Sequence, residues 1–247
     1  MRSKGSHTRQ LLLLVLASSA CFWAQADTYY VDGASGQDTY AGTEFAPWKT
    51  ISRANWELVS GDTVLIRGGF YENDPIAPRR SGTSGSPIEY KAYPGEEPII
   101  TNTDTGIILN KRDYIIVDGI TVDGQANGQK AFGVANVDHF AFINDGNYNI
   151  IRNSTMRDAH GWAGIHMSNG SHHNKLLNNV FDNIGTNNDG VEDHGDMLVI
   201  KCANFNLVEG NTFSRGGHNL FEVMGLSNVL RDNTFDNQWD NFGAGSR

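Results

Sequence analysis

Asn149-Ile-Ile-Arg-Asn-Ser-Thr-Met156, Asn174-Lys-Leu-Leu-Asn-Asn-Val-Phe181, Asn206-Leu-Val-Glu-Gly-Asn-Thr-Phe213 and Asn228-Val-Leu-Arg-Asp-Asn-Thr-Phe235 superimpose without gaps. Their first residues lie 25, 32 and 22 positions apart, and Tyr114-Ile-Ile-Val-Asp-Gly-Ile120 is a looser earlier copy. A period in the low twenties, built from short apolar runs without helical spacing, describes a stacked solenoid of β-coils. Leucine-rich repeats share the period but need a fixed Leu framework, which these segments lack. Each copy bends after two or three apolar residues, at Asn153-Ser154, Asn178-Asn179, Gly210-Asn211 and Asp232-Asn233. Asn, Asp and Gly tolerate the left-handed backbone that such a corner needs. Asn179, Asn211 and Asn233 are therefore expected to stack from coil to coil, each side chain bonding its neighbour's backbone. Met156, Phe181, Phe213 and Phe235 are expected to stack likewise inside the core. The 32-residue step calls for an insertion, placed at residues 186–194.

Composition agrees with this reading. The 247 residues include 28 Gly and 25 Asn, and 21 of the Asn lie between Asn127 and Asn241. Both types disfavour helix interiors, which argues against a helical bundle. With 39% hydrophobic and 10% aromatic residues the chain is not disordered, and a formal charge of −9 argues against a nucleic-acid partner. The expected class is all-β.

Arg2, Lys4 and Arg9 precede the apolar run Leu11–Leu16, and small residues ending in Ala24-Gln25-Ala26 follow. That order describes a signal peptide over residues 1–26, cleaved before Asp27, and a secreted or periplasmic protein. The run is too short to cross a bilayer, so no membrane attachment is expected. The mature chain would hold 16 basic and 28 acidic residues, a formal −12, and Cys202 as its single cysteine, with no disulfide framework.

Ahead of the repeats, Thr28–Val31, Thr63–Arg67 and Ile88–Tyr93 read as strands. Pro47 begins a helical segment with Ile51, Ala54 and Leu58 on one face, closed by Ser60-Gly61. The repeats resemble those of the right-handed parallel β-helix superfamily that includes the pectate lyases. The N-terminal block, from Tyr29-Tyr-Val-Asp-Gly33 through Ala46-Pro-Trp-Lys-Thr-Ile-Ser52 to Gly61-Asp-Thr-Val-Leu-Ile-Arg67, is similar to the entry strand and capping helix of secreted β-helix lyases. Residues 81–95 are similar to the second coil of the chondroitinase-B and alginate-lyase family. The resemblance implies a right-handed parallel β-helix over residues 27–247 with a short N-terminal capping helix. The last residues, Gly243-Ala-Gly-Ser-Arg247, supply no closing cap, so the domain is expected to be C-terminally incomplete.

Asp189-Gly-Val-Glu-Asp-His-Gly-Asp-Met-Leu-Val-Ile-Lys201 gathers four carboxylates, a His, and a Lys at the end of an apolar strand. These types suit β-elimination of an acidic polysaccharide: a cation neutralises the uronate carboxylate, a base removes the adjacent proton, and the glycosidic oxygen leaves. Oxygen ligands suit Ca²⁺, here from Asp193 and Asp196, and a nearby ion would favour neutral Lys201 as the base. In the chondroitinase-B-like lyases acidic calcium ligands precede a catalytic Lys by five residues, the separation of Asp196 and Lys201. The family-nine pectate lyases resemble Asp196-Met-Leu-Val-Ile-Lys201 as well. His194 stands where a second acidic ligand is expected, and Glu222 where the catalytic Arg is expected, which leaves Arg215 and His218 as assisting residues. Trp162, His194 and Glu222 complete the expected substrate-binding set, with Trp162 stacking on sugar rings. The histidines at 160, 166, 172, 173, 194 and 218 fit no zinc-ligand spacing. Cys202 is expected in the core.

The leading expectation is a monomeric polysaccharide lyase. The alternatives are a non-catalytic carbohydrate-binding β-helix, a uronate epimerase, and a glycoside hydrolase on the same fold.

Overall fold

A computed structural model describes residues 26–124, 139–159, 163–184, 196–216 and 220–236. Among these described residues, twenty strands and one helix stack into a parallel β-helix, each complete coil giving one strand to each of three sheets.

The first sheet runs β1 (Thr28–Val31), β2 (Thr63–Ile66), β4 (Ile88–Ala92), β7 (Ile115–Asp118), β10 (Ile150–Arg152), β13 (Lys175–Leu177), β16 (Leu207–Glu209) and β19 (Val229–Arg231). The second runs β3 (Gly69–Glu72), β5 (Pro98–Thr101), β8 (Thr121–Asp123), β11 (Thr155–Ala159), β14 (Val180–Ile184), β17 (Thr212–Gly216) and β20 (Thr234–Asp236). The third holds β6 (Thr105–Ile108), β9 (His139–Asn144), β12 (Ala163–Ser168), β15 (Asp196–Lys201) and β18 (Glu222–Met224). All pairings are parallel, and the repeat is legible in the register: Ile151 lies beside Leu176, Leu176 beside Val208, and Val208 beside Leu230.

The corners between the first and second sheets follow the sequence expectation. Asn153, Asn178, Gly210 and Asp232 all take positive φ, 51°, 55°, 69° and 55°. The next residue turns inward. Oδ1 of Asn179 accepts from Ser154 N at 3.1 Å, and its Nδ2 donates to Ile151 O at 3.0 Å. Asn211 repeats this one coil on, accepting from Asn179 N at 2.9 Å and donating to Leu176 O at 3.0 Å. Buried backbone groups at a corner have no strand partner of their own, and the amide ladder supplies one. A second ladder, Asn149, Asn174, Asn206 and Asn228, does the same where each coil enters the first sheet. Phe181 and Phe213 stack at 4.8 Å inside the core, and Phe235 stacks on Phe213 at 5.2 Å but is exposed rather than in the core as expected.

The helix α1 (Ile51–Glu57) begins later than Pro47 suggested. Thr50 is the N-cap, accepting from Arg53 N, and the buried Asp74 carboxylate bonds Ile51 N and Ser52 N, each at 2.7 Å. A capping side chain, not the proline, sets the start. Ile51, Ala54 and Leu58 then join the core beside Val31 and Val64. Cys202 is a second correction, since it is exposed. It takes φ 53°, so the chain has left the strand's alternation and turned outward by that residue. The expected insertion at 186–194 lies outside the described residues.

Candidate functional site

The third sheet has an apolar inner face and a polar outer one. Ala141, Ile143, Ile165, Met167, Leu198 and Ile200 all point inward and are fully buried. Alternation along the later part of each strand sends Phe142, His166 and Lys201 outward, while Phe140 and Met197 near the strand starts are buried in the core. At Gly164 in β12 a Cβ would run into the carbonyl of Met197, so only glycine lets the two coils approach this closely.

Three cross-strand columns run along this sheet. His139, Ala163 and Asp196 lie in the first. Phe142, His166, Val199 and Glu222 lie in the second. The third contains Asn144 beside Ser168, and Lys201 beside Met224. Lys201 is exposed and Glu222 partly so.

His166 is central to this surface. Its ring meets Phe142 edge-on at 5.2 Å and lies 6.1 Å from His139. Burial lowers its pKa below the ordinary histidine value, the nearby His139 and Lys201 charges push the same way, and Glu222 opposes them. The ring is therefore neutral at neutral pH. Its Nε2 is buried and has no hydrogen-bond partner. His139 and His166 were the residues that sequence reasoning undervalued. The signal available was register: each is an outward position of a strand that stacks beneath Asp196–Lys201.

The expected site residues divide. Asp196 and Lys201 are the first and last residues of β15, the former partly exposed and the latter exposed. Glu222 lies on the next strand, where its register neighbour is Val199, and Lys201 faces Met224. Arg215 is on the second sheet with φ 54°, and its guanidinium grips Asp182 through Nε at 2.7 Å and through a second nitrogen. That pairing holds the Asp182 carboxyl below its usual range and ties one coil to the next. The structure does not bring Arg215 to Lys201. Trp162, Asp193, His194 and His218 lie outside the described residues.

Calcium takes six to eight oxygen ligands. Among the described residues no three His, Cys, Asp or Glu side chains gather into such a group, and the register neighbours of Asp196 are Ala163 and then His139. The described residues do not by themselves form a calcium cage.

Residues 29–237 match the family described as the Pel9A-like, right-handed β-helix region, and the chain belongs to that family. The crystal structure of pectate lyase Pel9A superimposes with a TM-score of 0.71 at 17% identity, covering 90% of this chain and 57% of that one. Pectate lyase PEL9 of Emericella nidulans is 39% identical over 66 residues, 26% of this chain and 16% of that protein. Lacto-N-biosidase of Bifidobacterium longum subsp. longum is 40% identical over 72 residues, 27% of this chain and 4% of that protein. The chain thus spans less than two thirds of the length of each of these three proteins. No helix among the described residues is long and apolar enough to cross a membrane.

Proposed function

We propose that the chain is an exported polysaccharide lyase whose substrate, an acidic uronate polymer, lies along the outer face of the third sheet. The observation that carries this reading is the placement of His166 and Lys201 on the outward surface of adjacent strands, β12 and β15. Lysine brings a positive charge to the sugar carboxylate, which makes the neighbouring C–H more acidic. Neutral His166 is a proton acceptor that needs no further activation. The C–H electron pair forms the carbon–carbon double bond and expels the glycosidic oxygen, which takes a proton from water. The imidazolium then returns its proton to solvent. This gives Lys201 the charge-neutralising role and His166 the proton, where the sequence pointed to Lys201 as base.

A second reading has its own support. Asp196 and Glu222 are two partly exposed carboxylates on neighbouring strands, and paired carboxylates serve glycoside hydrolysis. The local similarity to lacto-N-biosidase points the same way. Incubation with pectate, alginate and chondroitin sulfate, and with neutral oligosaccharides, separates the two. Each is run with and without Ca²⁺. Elimination yields ultraviolet-absorbing unsaturated uronate ends. Hydrolysis yields reducing ends without that absorbance. Absence of unsaturated product from every acidic polymer overturns the lyase reading.

A further inference from the structure

Four residues past the end of β12, His172 and His173 enter the corner that leads into β13. Their Nδ1 atoms lie 2.9 Å apart. The pair is outside the face assigned above and takes no part in that chemistry. Packing fixes both rings. His173 is sandwiched between Tyr148 at 4.9 Å and Phe205 at 5.4 Å, nearly parallel to each. His172 stands perpendicular to Tyr148 and to His173, at 5.4 and 5.0 Å. The backbone is held as well: His172 N donates to Asn147 Oδ1 at 3.0 Å, and His173 takes φ 57° with its N–H on Asn204 O. His173 is exposed and His172 partly so.

Two nitrogens held 2.9 Å apart define a bite. With metal–nitrogen bonds of about 2.0–2.1 Å the angle at an ion bound by both is about 90°. That is the cis angle of square-planar and octahedral coordination. A tetrahedral ion would want the nitrogens about 3.3 Å apart. Imidazole donors at right angles suit Cu²⁺ and Ni²⁺, and Cu²⁺ stands highest in intrinsic affinity. Without metal, one Nδ1 donates its proton to the other. On chelation the donor ring carries its proton on Nε2 instead, both Nδ1 lone pairs go to the ion, and two neutral rings release no net proton. Water fills the remaining positions. The stacking has already removed the freedom of both rings, so little ordering is left for binding to require.

We infer that His172 and His173 form a surface chelate for a divalent transition ion of square-planar or octahedral preference, Cu²⁺ foremost. The test titrates the protein with Cu²⁺, Ni²⁺ and Zn²⁺ salts separately by calorimetry and records the electron paramagnetic resonance of the copper form. The expected result is one equivalent of Cu²⁺ with an axial signal coupled to two nitrogens, and Ni²⁺ held more tightly than Zn²⁺. Affinity for Cu²⁺ should fall at least tenfold in His172→Ala and in His173→Gln, with circular dichroism checking that each variant is folded. Wild-type protein that binds no copper, a signal showing one coupled nitrogen, or affinity unchanged in both variants overturns the proposal. The wild-type spectrum decides even if a variant misfolds.

Discussion

Asn211 lies directly beneath Asn179 in the coil stack, and its Oδ1 accepts from both the backbone N–H and the Nδ2 of Asn179, each at 2.9 Å. Both side chains are almost completely buried. Asn179→Ala would remove an acceptor from Ser154 N and a donor from Ile151 O inside the core. Leaving a buried polar group unpaired costs roughly 1–3 kcal/mol. Asn179→Ala should therefore lower stability by about 2–4 kcal/mol in a urea melt, while an exposed-corner change such as Asn178→Gly should stay within about 1 kcal/mol.

Asp74 holds the start of α1 through Ile51 N, Ser52 N and the Ser52 hydroxyl, which donates at 2.6 Å. The carboxylate is 7% exposed, so water cannot replace it. Asp74→Ala is expected to cost about 2–3 kcal/mol, more than an ordinary N-cap, because three donors lose their acceptor together. Loss of helical signal ahead of the main transition, measured by circular dichroism during thermal melting, would show that the helix end frays first.

Arg215 pairs with Asp182 across coils, and its guanidinium is the main reason the Asp182 carboxyl is held down. A depressed folded-state pKa gives stability that is present above the unfolded carboxylate value and is lost as pH falls through the folded one. Arg215→Ala should flatten that acid limb and cost no more than about 1 kcal/mol at neutral pH, since both partners are partly solvated. Turnover of a polysaccharide substrate should be unchanged, because this pair is not on the third sheet.

His166 carries the same sign for a different reason, since here the neutral form is the one the fold favours. Burial and the charges of His139 and Lys201 lower its pKa, so the unfolded chain binds a proton that the folded chain refuses. Stability contributed by neutral His166 is present above the unfolded histidine value and is lost progressively as pH falls below it. Replacing His166 with Gln should shrink the pH dependence of the melting temperature between pH 7 and pH 5, about the range set by the ordinary histidine pKa. An unchanged slope would mean that the ring is solvated in the folded protein.

The coil stack was legible because its determinants are local. A left-handed corner selects Asn, Asp or Gly whatever lies around it, so Asn153, Asn178, Gly210 and Asp232 mark the bends in one dimension. The inward ladders of Asn179 and Asn211, and of Phe181 and Phe213, follow once those bends are aligned. The site was less legible. Its residues come from different coils, and their neighbours depend on register across stretches of unequal length. The five-residue step from Asp196 to Lys201 placed them on one strand but said nothing of His166, which stacks from 30 or more positions earlier. Arg215 was misplaced for the same reason: proximity in sequence to Glu222 hid a change of sheet. Cys202 was misread by extending strand alternation one residue past the strand's end, into a left-handed turn.

The central claim is that the outer face of the third sheet performs proton abstraction with His166 and Lys201. The direct measurement is the initial rate of unsaturated uronate formation from the polymer that wild-type protein cleaves, compared with His166→Gln and Lys201→Ala at matched folding. A positioned general base contributes on the order of 10²–10⁴ in rate, so both variants should lose at least about a hundredfold while Arg215→Ala retains full activity. Equal rates in wild type and both variants, or product formed only by hydrolysis, would contradict the account.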